Sequence, residues 1–394
     1  MKQKIWMQLA ALVLLAINAR AQNYDEALVP KYVLPQVLKT NKGGNVKNIK
    51  VWEQTRRPEL LKLFEDNVYG EMPHDFDSIR YQLIHQDAVA MGGRATLKEV
   101  DIRVYRLRQS VTIHLVMFTP AHKKAPPLFL LINNRGRNNA DPTRTNKTEF
   151  WPAEQVIDSG YAIAAFHVSD LAPDNKTHYA DGVMRLYPEQ LKAANGMKAI
   201  GAWAWGASRV MDYLQTDQTI DAKRIGVVGH SRGGKTALWT MAEDPRFAMC
   251  FASCSGNTGA ALSRRLFGET IQKINATFPY WFCDNYKKYD NHEDELPVDQ
   301  HELIALSAPR PVYTTNATKD LWADPKGSFL SVKAAAPVWA LYKIKSKLPA
   351  QLPPANTPSA QPPLGYHLRE GIHDLTAYDW DKFIRFANYQ YQHQ

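Results

Sequence analysis

The segment of this chain best suited to chemistry is Gly229-His230-Ser231-Arg232-Gly233, which matches the pattern G-x-S-x-G. A buried apolar strand is predicted directly before it, and a helix is predicted directly after it. Glycines at such a turn permit a strained backbone that lifts the serine hydroxyl clear of the sheet. The start of the helix also offers backbone N–H groups to a developing oxyanion. We predict that Ser231 is a nucleophile; the alternative is an ordinary glycine turn, since the bare pattern is common by chance.

A serine nucleophile needs a base that accepts its proton, and the base needs an acid that fixes its tautomer. In a hydrolase sheet of this kind the three residues follow in the order Ser, acid, His. His373 comes after the last predicted strand, in "REGIHDLT", which is where such a fold carries its base. The alternatives are His301 on a predicted helix and His367 within a predicted strand, and both positions are more typical of structural histidines.

The acid is expected after the preceding strand, in the segment "TTNATKDLWADP". Asp320 lies just past the end of that strand and is the predicted acid. Asp324 is the alternative, although an Asp-Pro pair is more typical of a turn or of the start of a helix. Asp374 adjoins His373 in sequence, so its side chain is poorly placed to orient its own neighbour.

The elements that must position these residues follow from the alternation of apolar strands with helical segments. Continuous apolar strands are what a sheet buried on both faces requires. The predicted strands span residues 100–108, 112–120, 127–136, 160–168, 224–231, 247–255, 310–318 and 365–371. The predicted helices lie near residues 57–67, 199–214, 233–242, 328–342 and 379–392. This order predicts an α/β fold with one doubly wound, mostly parallel sheet between two layers of helices.

Two kinds of interruption are also predicted from residue types. The strand-like stretch 79–120 has breaks at Gly92-Gly93 and at Lys98-Glu99. Residues 349–363 contain six prolines, which predicts a loop inserted before the last strand.

The chain has 394 residues, and the first 21 have the pattern of a secretory signal peptide. Lys2 and Lys4 precede a short apolar run, and Ala19-Arg20-Ala21 fits a cleavage site. The run is shorter than the roughly 20 residues that a membrane span needs. We therefore expect a secreted or periplasmic protein in which residues 22–394 form one domain, with an N-terminal extension at about 22–75.

Composition narrows the classes of partner. The formal charge is +9, but the basic residues are scattered, which argues against nucleic acid as the partner. Three cysteines leave at least one free thiol, and the absence of a C-x-x-C pair from the sequence excludes a zinc ribbon or a redox motif of that type. We expect a monomer that needs no metal and no cofactor and does not act on membranes once the leader is removed.

Several motifs together resemble the bacterial glucuronoyl esterases of carbohydrate esterase family 15. They are "GVVGHSRGGKTALW" (226–239), "GAALSRRLFGETI" (259–271), "VDQHELIALSAPRPVY" (298–313), "ATKDLWADP" (317–325) and "GIHDLTAYDW" (371–380). The resemblance covers the chain from about residue 225 to 380. It implies an α/β-hydrolase fold and cleavage of esters between 4-O-methyl-glucuronate on xylan and lignin alcohols.

The resemblance also implies catalytic roles. Ser231 matches the nucleophile, His373 the base and Asp320 the acid, while Arg232 matches an arginine that helps to form the oxyanion hole. Some members carry the acid after the preceding strand instead, at the position of Cys254 here, and a cysteine cannot replace that carboxylate.

Positions that bind the glucuronate in the family correspond to Lys235, Glu269 and Trp322. Lys235 lies four residues after Ser231, so one helical turn returns it to the same end of the helix. A solvated lysine, a surface glutamate and a core tryptophan are the alternatives for these three. Trp203 and Trp205 lie on a predicted helix and are expected in the core.

Two other functions remain open at this stage. One is an acetyl-xylan or other carbohydrate esterase on the same fold, because the fold alone does not fix the substrate. The other is a catalytically silent hydrolase fold that binds polysaccharide. Arg232 and Lys235 favour the uronate ester, because a neutral acetyl ester gives two cations little to recognise.

Overall fold

The computed structural model describes residues 22–392, so the signal peptide predicted at 1–21 lies outside the described residues. The described chain contains one nine-stranded sheet with the order β1-β2-β3-β5-β4-β6-β7-β8-β9. The strands are β1 Ser78–Val89, β2 Ala95–Arg106, β3 Gln109–Pro120, β4 Leu128–Asn133, β5 Ala162–His167, β6 Ile225–His230, β7 Met249–Ser253, β8 Val312–Ala317 and β9 Leu364–Arg369.

Helices connect the strands and cover the sheet. The α-helices of the described residues are α1 Ile49–Val51, α2 Arg57–Phe64, α3 Ala90–Gly93, α4 Ala153–Asp158, α5 Ala199–Leu214, α6 Arg232–Glu243, α7 Ile271–Thr277, α8 Gln300–Ala305, α9 Pro325–Leu341 and α10 Ala377–Gln392. Wider π-helical turns at Trp52–Arg56 and Glu65–Tyr69 make α1 and α2 parts of one continuous helical run.

The sheet has an antiparallel part and a parallel part. Strands β1, β2 and β3 form a meander whose last strand pairs antiparallel with β5. Strands β5, β4, β6, β7, β8 and β9 then run parallel. The carboxyl ends of parallel strands meet at one edge of a sheet, so the residues that follow β6, β7, β8 and β9 are brought together there.

The predicted break at Gly92-Gly93 is confirmed, because these residues form the positive-φ turn between β1 and β2. The break predicted at Lys98-Glu99 is wrong. Both residues lie within β2 and pair with β1 on one side and β3 on the other. The irregularity lies on β1 instead, between Leu83 and His85, where the edge strand shifts its register.

Two apolar layers bury the two faces of the sheet, as the continuous apolar strands predict. Val227 and Cys250 belong to one layer, with residues of α5, α6, α8 and α9. Val228 and Phe251, one position further along their strands, belong to the other, with residues of α4 and α10. The result is the predicted three-layer sandwich. Trp203 and Trp205 are fully buried on α5, so their expected place in the core is confirmed.

The N-terminal residues run over the body of the domain before the sheet begins. Arg56 is buried and donates to the carboxylate of Glu302 at 2.7 Å. Arg57 donates to the carbonyl oxygen of Ala242 at the end of α6, at 2.6 Å. These contacts attach the first helical run to α6 and α8.

The proline-rich residues 349–363, predicted as a loop before the last strand, form neither helix nor strand. Helix α9 starts at Pro325, three residues earlier than predicted, because Asp324 caps it. Within residues 22–392 every helix is too short or too polar to cross a bilayer.

Candidate active site

Ser231 lies on the sharp turn between β6 and α6, with φ 56° and ψ −124°. This is a positive-φ conformation that a residue with a side chain rarely adopts. The flanking glycines make it possible: a Cβ on Gly229 would approach the carbonyl oxygen of Gly233 to 1.9 Å, and a Cβ on Gly233 would meet Asn134 at 2.8 Å. The Ser231 N–H donates to the carbonyl of Ser253 at 2.8 Å, which fixes the turn against β7.

His373 and Asp320 form a hydrogen-bonded pair at the same edge of the sheet. The Nδ1 atom of His373 lies 2.5 Å from Oδ2 of Asp320. The carboxylate is almost fully buried, whereas 38% of the His373 side chain is exposed. Asp320 follows β8 and His373 follows β9, so two adjacent parallel strands bring together residues 53 positions apart. The buried acid can hold the imidazole in one tautomer while the ring stays accessible.

The His373 ring packs against His230, the residue directly before Ser231, with 4.5 Å between the ring centroids. This contact places the predicted base beside the predicted nucleophile. His230 itself is buried, and its Nδ1 lies 3.2 Å from the Ser253 hydroxyl. Burial, and then the neighbouring His373, hold the pKa of His230 well below its ordinary value of 6.5. Burial therefore favours the neutral form of the His230 ring.

Cys254 lies at the end of β7 with φ 46°, and its thiol is buried. Ligand atoms of Cys254, Asp320 and His373 all lie within 4.8 Å of one another. Burial raises the pKa of this thiol well above its ordinary value. The thiol is therefore protonated and cannot supply the negative charge that a second acid would give.

Arg232, at the first position of α6, is fixed by aromatic rings and one carboxylate. Its guanidinium lies over the ring of Trp281 at 5.0 Å and over Phe278 at 5.6 Å, and these two rings stack on each other. It also forms an ion pair with Asp174. The same carboxylate accepts hydrogen bonds from the Tyr280 hydroxyl at 2.8 Å and from the Trp281 indole at 2.9 Å. The arginine is thus held in one orientation beside the nucleophile.

Lys235 and Glu269 form a buried ion pair one helical turn beyond Ser231. Their charged atoms are 2.7 Å apart, and their side chains are 3% and 5% exposed. The Lys235 ammonium also donates to the carbonyl oxygen of Asn257. Burial lowers the pKa of Lys235, while the charge of Glu269 opposes that shift. Neither side chain is the solvated surface group that the sequence left open.

Trp322 lies on the short turn that follows Asp320, and its side chain is half-buried. The Glu269 N–H donates to its carbonyl oxygen at 2.9 Å, so the turn carrying Asp320 and the segment carrying Glu269 are hydrogen-bonded together. The structure therefore brings Ser231, His373 and Glu269 to one edge with this tryptophan beside them.

The alternative histidines occupy structural positions. His301 lies 2.9 Å from the carbonyl oxygen of Pro35. His367 is fully buried between the Tyr313 hydroxyl, at 3.0 Å, and the Asp379 carboxylate, at 2.8 Å. Both rings are therefore engaged by groups other than Ser231 and Asp320.

The alternative acids are also engaged elsewhere. Asp324 caps α9 through the Gly327 N–H and pairs with Arg265 at 2.8 Å. The Asp374 carboxylate contacts Arg135 at 2.7 Å and accepts from the Leu375 N–H at 2.8 Å.

Sequence reasoning missed two residues of the site. His230 fills a variable position of the G-x-S-x-G pattern, so the pattern gives it no role. Asp174 lies in a loop that follows β5. Its place after a parallel strand could have indicated it, since loops after parallel strands meet at the carboxyl edge of the sheet. Its pairing with Arg232, 58 residues away, had no local signature.

The two cations beside Ser231 are not free charges. Arg232 is paired with Asp174, and Lys235 is paired with Glu269. The expectation that these two cations favour a uronate ester over a neutral acetyl ester stays a prediction, and each of them would meet a ligand together with its carboxylate partner. What the site offers a ligand is a set of rigid, charge-assisted hydrogen-bonding groups.

Comparison with known proteins adds an independent line of evidence. The family described as "Glucuronyl esterase, fungi" matches residues 144–342. A relative from an unknown prokaryotic organism, carbohydrate esterase MZ0003, is 39% identical over 94% of this chain and 92% of its own length. The similarity is thus wider than the segment 225–380 that carries the sequence motifs.

Two solved structures are similar along nearly the whole chain. A promiscuous CE15 esterase from a marine bacterial metagenome is 37% identical, with a TM-score of 0.87, over 94% of this chain and all of that chain. A glucuronoyl esterase from Solibacter usitatus is 36% identical, with a TM-score of 0.87, over 93% of this chain and all of that one.

Proposed function

This chain belongs to the glucuronoyl esterases of carbohydrate esterase family 15, and we propose that it cleaves glucuronate esters by a Ser231–His373–Asp320 mechanism. As a member of this family it is a carboxylic ester hydrolase with an α/β-hydrolase fold. The observation that carries the mechanism is the 2.5 Å contact between His373 and the buried Asp320, beside the strained turn of Ser231.

In the first half-reaction the Ser231 hydroxyl attacks the ester carbonyl while Nε2 of His373 accepts its proton. Nδ1 is engaged by Asp320, which stabilises the imidazolium that forms. The tetrahedral oxyanion is held by backbone N–H groups at the start of α6 and by the guanidinium of Arg232. When the carbon–oxygen bond breaks, His373 returns the proton to the departing alcohol.

The second half-reaction releases the acid. Water attacks the acyl-enzyme carbonyl, and His373 takes one of its protons. The ester bond to Ser231 then breaks, and the proton returns to the serine oxygen. The products are glucuronic acid and the regenerated enzyme, and each step conserves protons without a metal or a redox partner.

Glucuronate recognition falls to Lys235, Glu269 and Trp322. The ion pair presents an ammonium donor and a carboxylate acceptor in fixed positions, which suits the hydroxyl groups of a pyranose. Trp322 supplies an aromatic side chain next to the acid turn for packing against the sugar ring. The substrate we propose is 4-O-methyl-glucuronate of xylan esterified to lignin alcohols.

Hydrolysis of benzyl glucuronate, compared with that of an acetylated sugar, tests this function. We expect faster turnover of the glucuronate ester, loss of turnover in Ser231→Ala, and covalent labelling of Ser231 by a fluorophosphonate. Faster acetyl release would favour a different carbohydrate esterase. Activity that survives in Ser231→Ala would refute the serine mechanism.

We also propose that the protein is exported, since residues 1–21 have the composition of a cleavable leader. N-terminal sequencing of the protein recovered from the periplasm or medium should begin at Gln22. Recovery of the intact chain in the cytoplasm would contradict this proposal.

A further inference from the structure

A long cleft runs along the N-terminal arm, which we define as residues 22–35. The other wall of this arm cleft is formed by residues 264–297. It consists of two adjoining cavities of about 560 and 770 Å³ that share Pro30, Leu266, Asn291 and Glu293. Each cavity falls within the roughly 300–1,000 Å³ that encloses a ligand of several rings.

One end of the arm cleft adjoins the active site through the backbone of Gly268. The Gly268 N–H donates to the carbonyl oxygen of Asn23 at 2.8 Å, and its carbonyl accepts from the Gln22 amide at 3.1 Å. On its other side Gly268 packs against the Trp322 carbonyl, which a Cβ would approach to 2.4 Å. The next residue is Glu269, the partner of Lys235. The arm therefore contacts the residue directly before the proposed glucuronate site.

Tyr24 marks this end of the cleft with an aromatic ring. It is 44% exposed and packs edge-on against Phe267, with 6.3 Å between centroids. Burial, and then the charge of Asp320, raise the pKa of Tyr24, which agrees with its place near the acid turn. Tyr24 directly follows Asn23, which lines the cleft, so its exposed ring can pack against a sugar that leaves this end of the cleft.

The arm is fixed by a charged network. Glu26 pairs with Arg265 at 2.5 Å and with Lys326 at 2.7 Å. Arg265 in turn pairs with Asp324, which caps the helix after the acid turn. Because the arm is tied to the elements that carry the site, the wall of the cleft is preorganised for a ligand.

The chemistry of the lining points to an uncharged polymer. Its basic side chains, Lys31, Arg264 and Lys273, are balanced in number by three acidic ones, Glu293, Asp294 and Glu295. Amide and hydroxyl groups line it as well, at Asn23, Thr270 and Gln272. A polyanion would find no net positive charge here, whereas the hydroxyl groups of a neutral sugar chain find donors and acceptors of both kinds.

We propose that the arm cleft binds the neutral polysaccharide backbone that carries the glucuronate. This inference rests on the proposed function and extends it from the esterified sugar to the chain it is attached to. Binding energy gained there lowers the KM for polymer-borne esters without touching the reacting bond.

The test compares two substrates that differ only in the backbone. One is the methyl ester of 4-O-methyl-glucuronic acid, and the other is the same ester carried on a xylooligosaccharide. Ala276→Trp adds bulk inside the cleft on the exposed side of α7, and Thr277→Trp, an exposed neighbour outside the lining, is the matched control. Gln272→Ala removes one amide without adding bulk.

We expect Ala276→Trp to lower kcat/KM for the oligosaccharide ester about tenfold, through KM, and to leave the small ester within about twofold. Gln272→Ala should lower kcat/KM for the oligosaccharide ester by about two- to tenfold, which is the effect of losing one hydrogen bond. Thr277→Trp should change neither substrate by more than about twofold. Titration of Ser231→Ala with xylohexaose should show binding that is about tenfold weaker in the double variant Ser231→Ala/Ala276→Trp.

Other outcomes separate the two proposals. The arm-cleft proposal is overturned if the cleft variants lose kcat/KM equally on both substrates. It is also overturned if neither cleft variant loses kcat/KM on either substrate. Failure of the unmodified enzyme to hydrolyse the small ester would overturn the proposed function instead. Circular dichroism and thermal unfolding show whether a tryptophan variant is folded, and Gln272→Ala keeps the test decisive if one is not.

Discussion

Replacement of Asp320 by asparagine isolates the role of the buried acid. The carboxylate accepts from Nδ1 of His373 at 2.5 Å and is 4% exposed, so little water is available to replace it. An asparagine amide in the same place can donate to Nδ1 and stabilise the wrong tautomer. By analogy with the same substitution in the triad of serine proteases, kcat should fall about 10⁴-fold, which corresponds to about 5.4 kcal/mol.

The structure makes this loss hard to compensate from existing acids. Asp324 is held by Arg265, and Glu302 is held by Arg56. Cys254 is the position from which compensation can be designed, because its sulfur lies within 4.8 Å of ligand atoms of both Asp320 and His373. The double variant Asp320→Asn/Cys254→Asp should regain roughly 10- to 100-fold in kcat, since it restores part of the lost charge interaction with the imidazolium.

The assay is steady-state hydrolysis of benzyl glucuronate, with Asp320→Asn/Cys254→Ser as the matched control that adds no charge. Thermal unfolding of each variant checks that the fold is retained. Turnover near the unmodified level in Asp320→Asn would refute the role of this acid. Equal rates for the two double variants would refute the geometric argument about Cys254.

Charges near and away from the site give three more predictions. Lys235→Met and Glu269→Gln should each lower the free energy of unfolding in urea by about 3–5 kcal/mol, because each leaves a buried partner unpaired. The double variant should lose less stability than the sum of the two single variants. Additive losses would argue against the ion pair. Burial raises the pKa of Glu243 to about 8 from 4.5, so its contribution to stability is full below pH 4.5 and is lost as the pH rises through 8. Glu243→Gln should therefore gain stability relative to the unmodified protein as the pH rises from about 5 to about 8, and a constant difference across that range would contradict the shift. EDTA should leave ester hydrolysis intact, because the proposed steps need no Lewis acid; activity lost in EDTA and restored by zinc would refute the mechanism.

Much of the framework was accessible from local sequence patterns. The serine turn is encoded within five residues, since glycine at positions 229 and 233 is what the strained backbone requires. The apolar strands and helix α5 were predicted because burial on both sheet faces leaves a continuous hydrophobic signal. The positions of Asp320 and His373 followed from chain order, as parallel strands bring their carboxyl ends to one edge.

The state of the charges at the site was decided by the tertiary structure alone. Arg232 meets Asp174 across 58 residues, and Lys235 meets Glu269 across 34. Nothing within one helical turn of either cation indicates its partner. A distant segment of the chain decides whether such a side chain is solvated or belongs to a buried ion pair. Burial then sets the pKa of the side chain and the stability that is lost when it is replaced.

The position of the N-terminal arm was likewise decided by tertiary contacts and not by local sequence. Its residues 22–35 are mixed in character and carry no motif, so the sequence assigned them only to an extension. Their place beside the site depends on Gly268 and Arg265, which lie 246 residues from Gln22 and 239 residues from Glu26. Local sequence patterns determine the helices and strands and their order, because propensity and periodicity act over a few residues. Which of those elements share a site is determined by contacts that form only when the whole chain has packed.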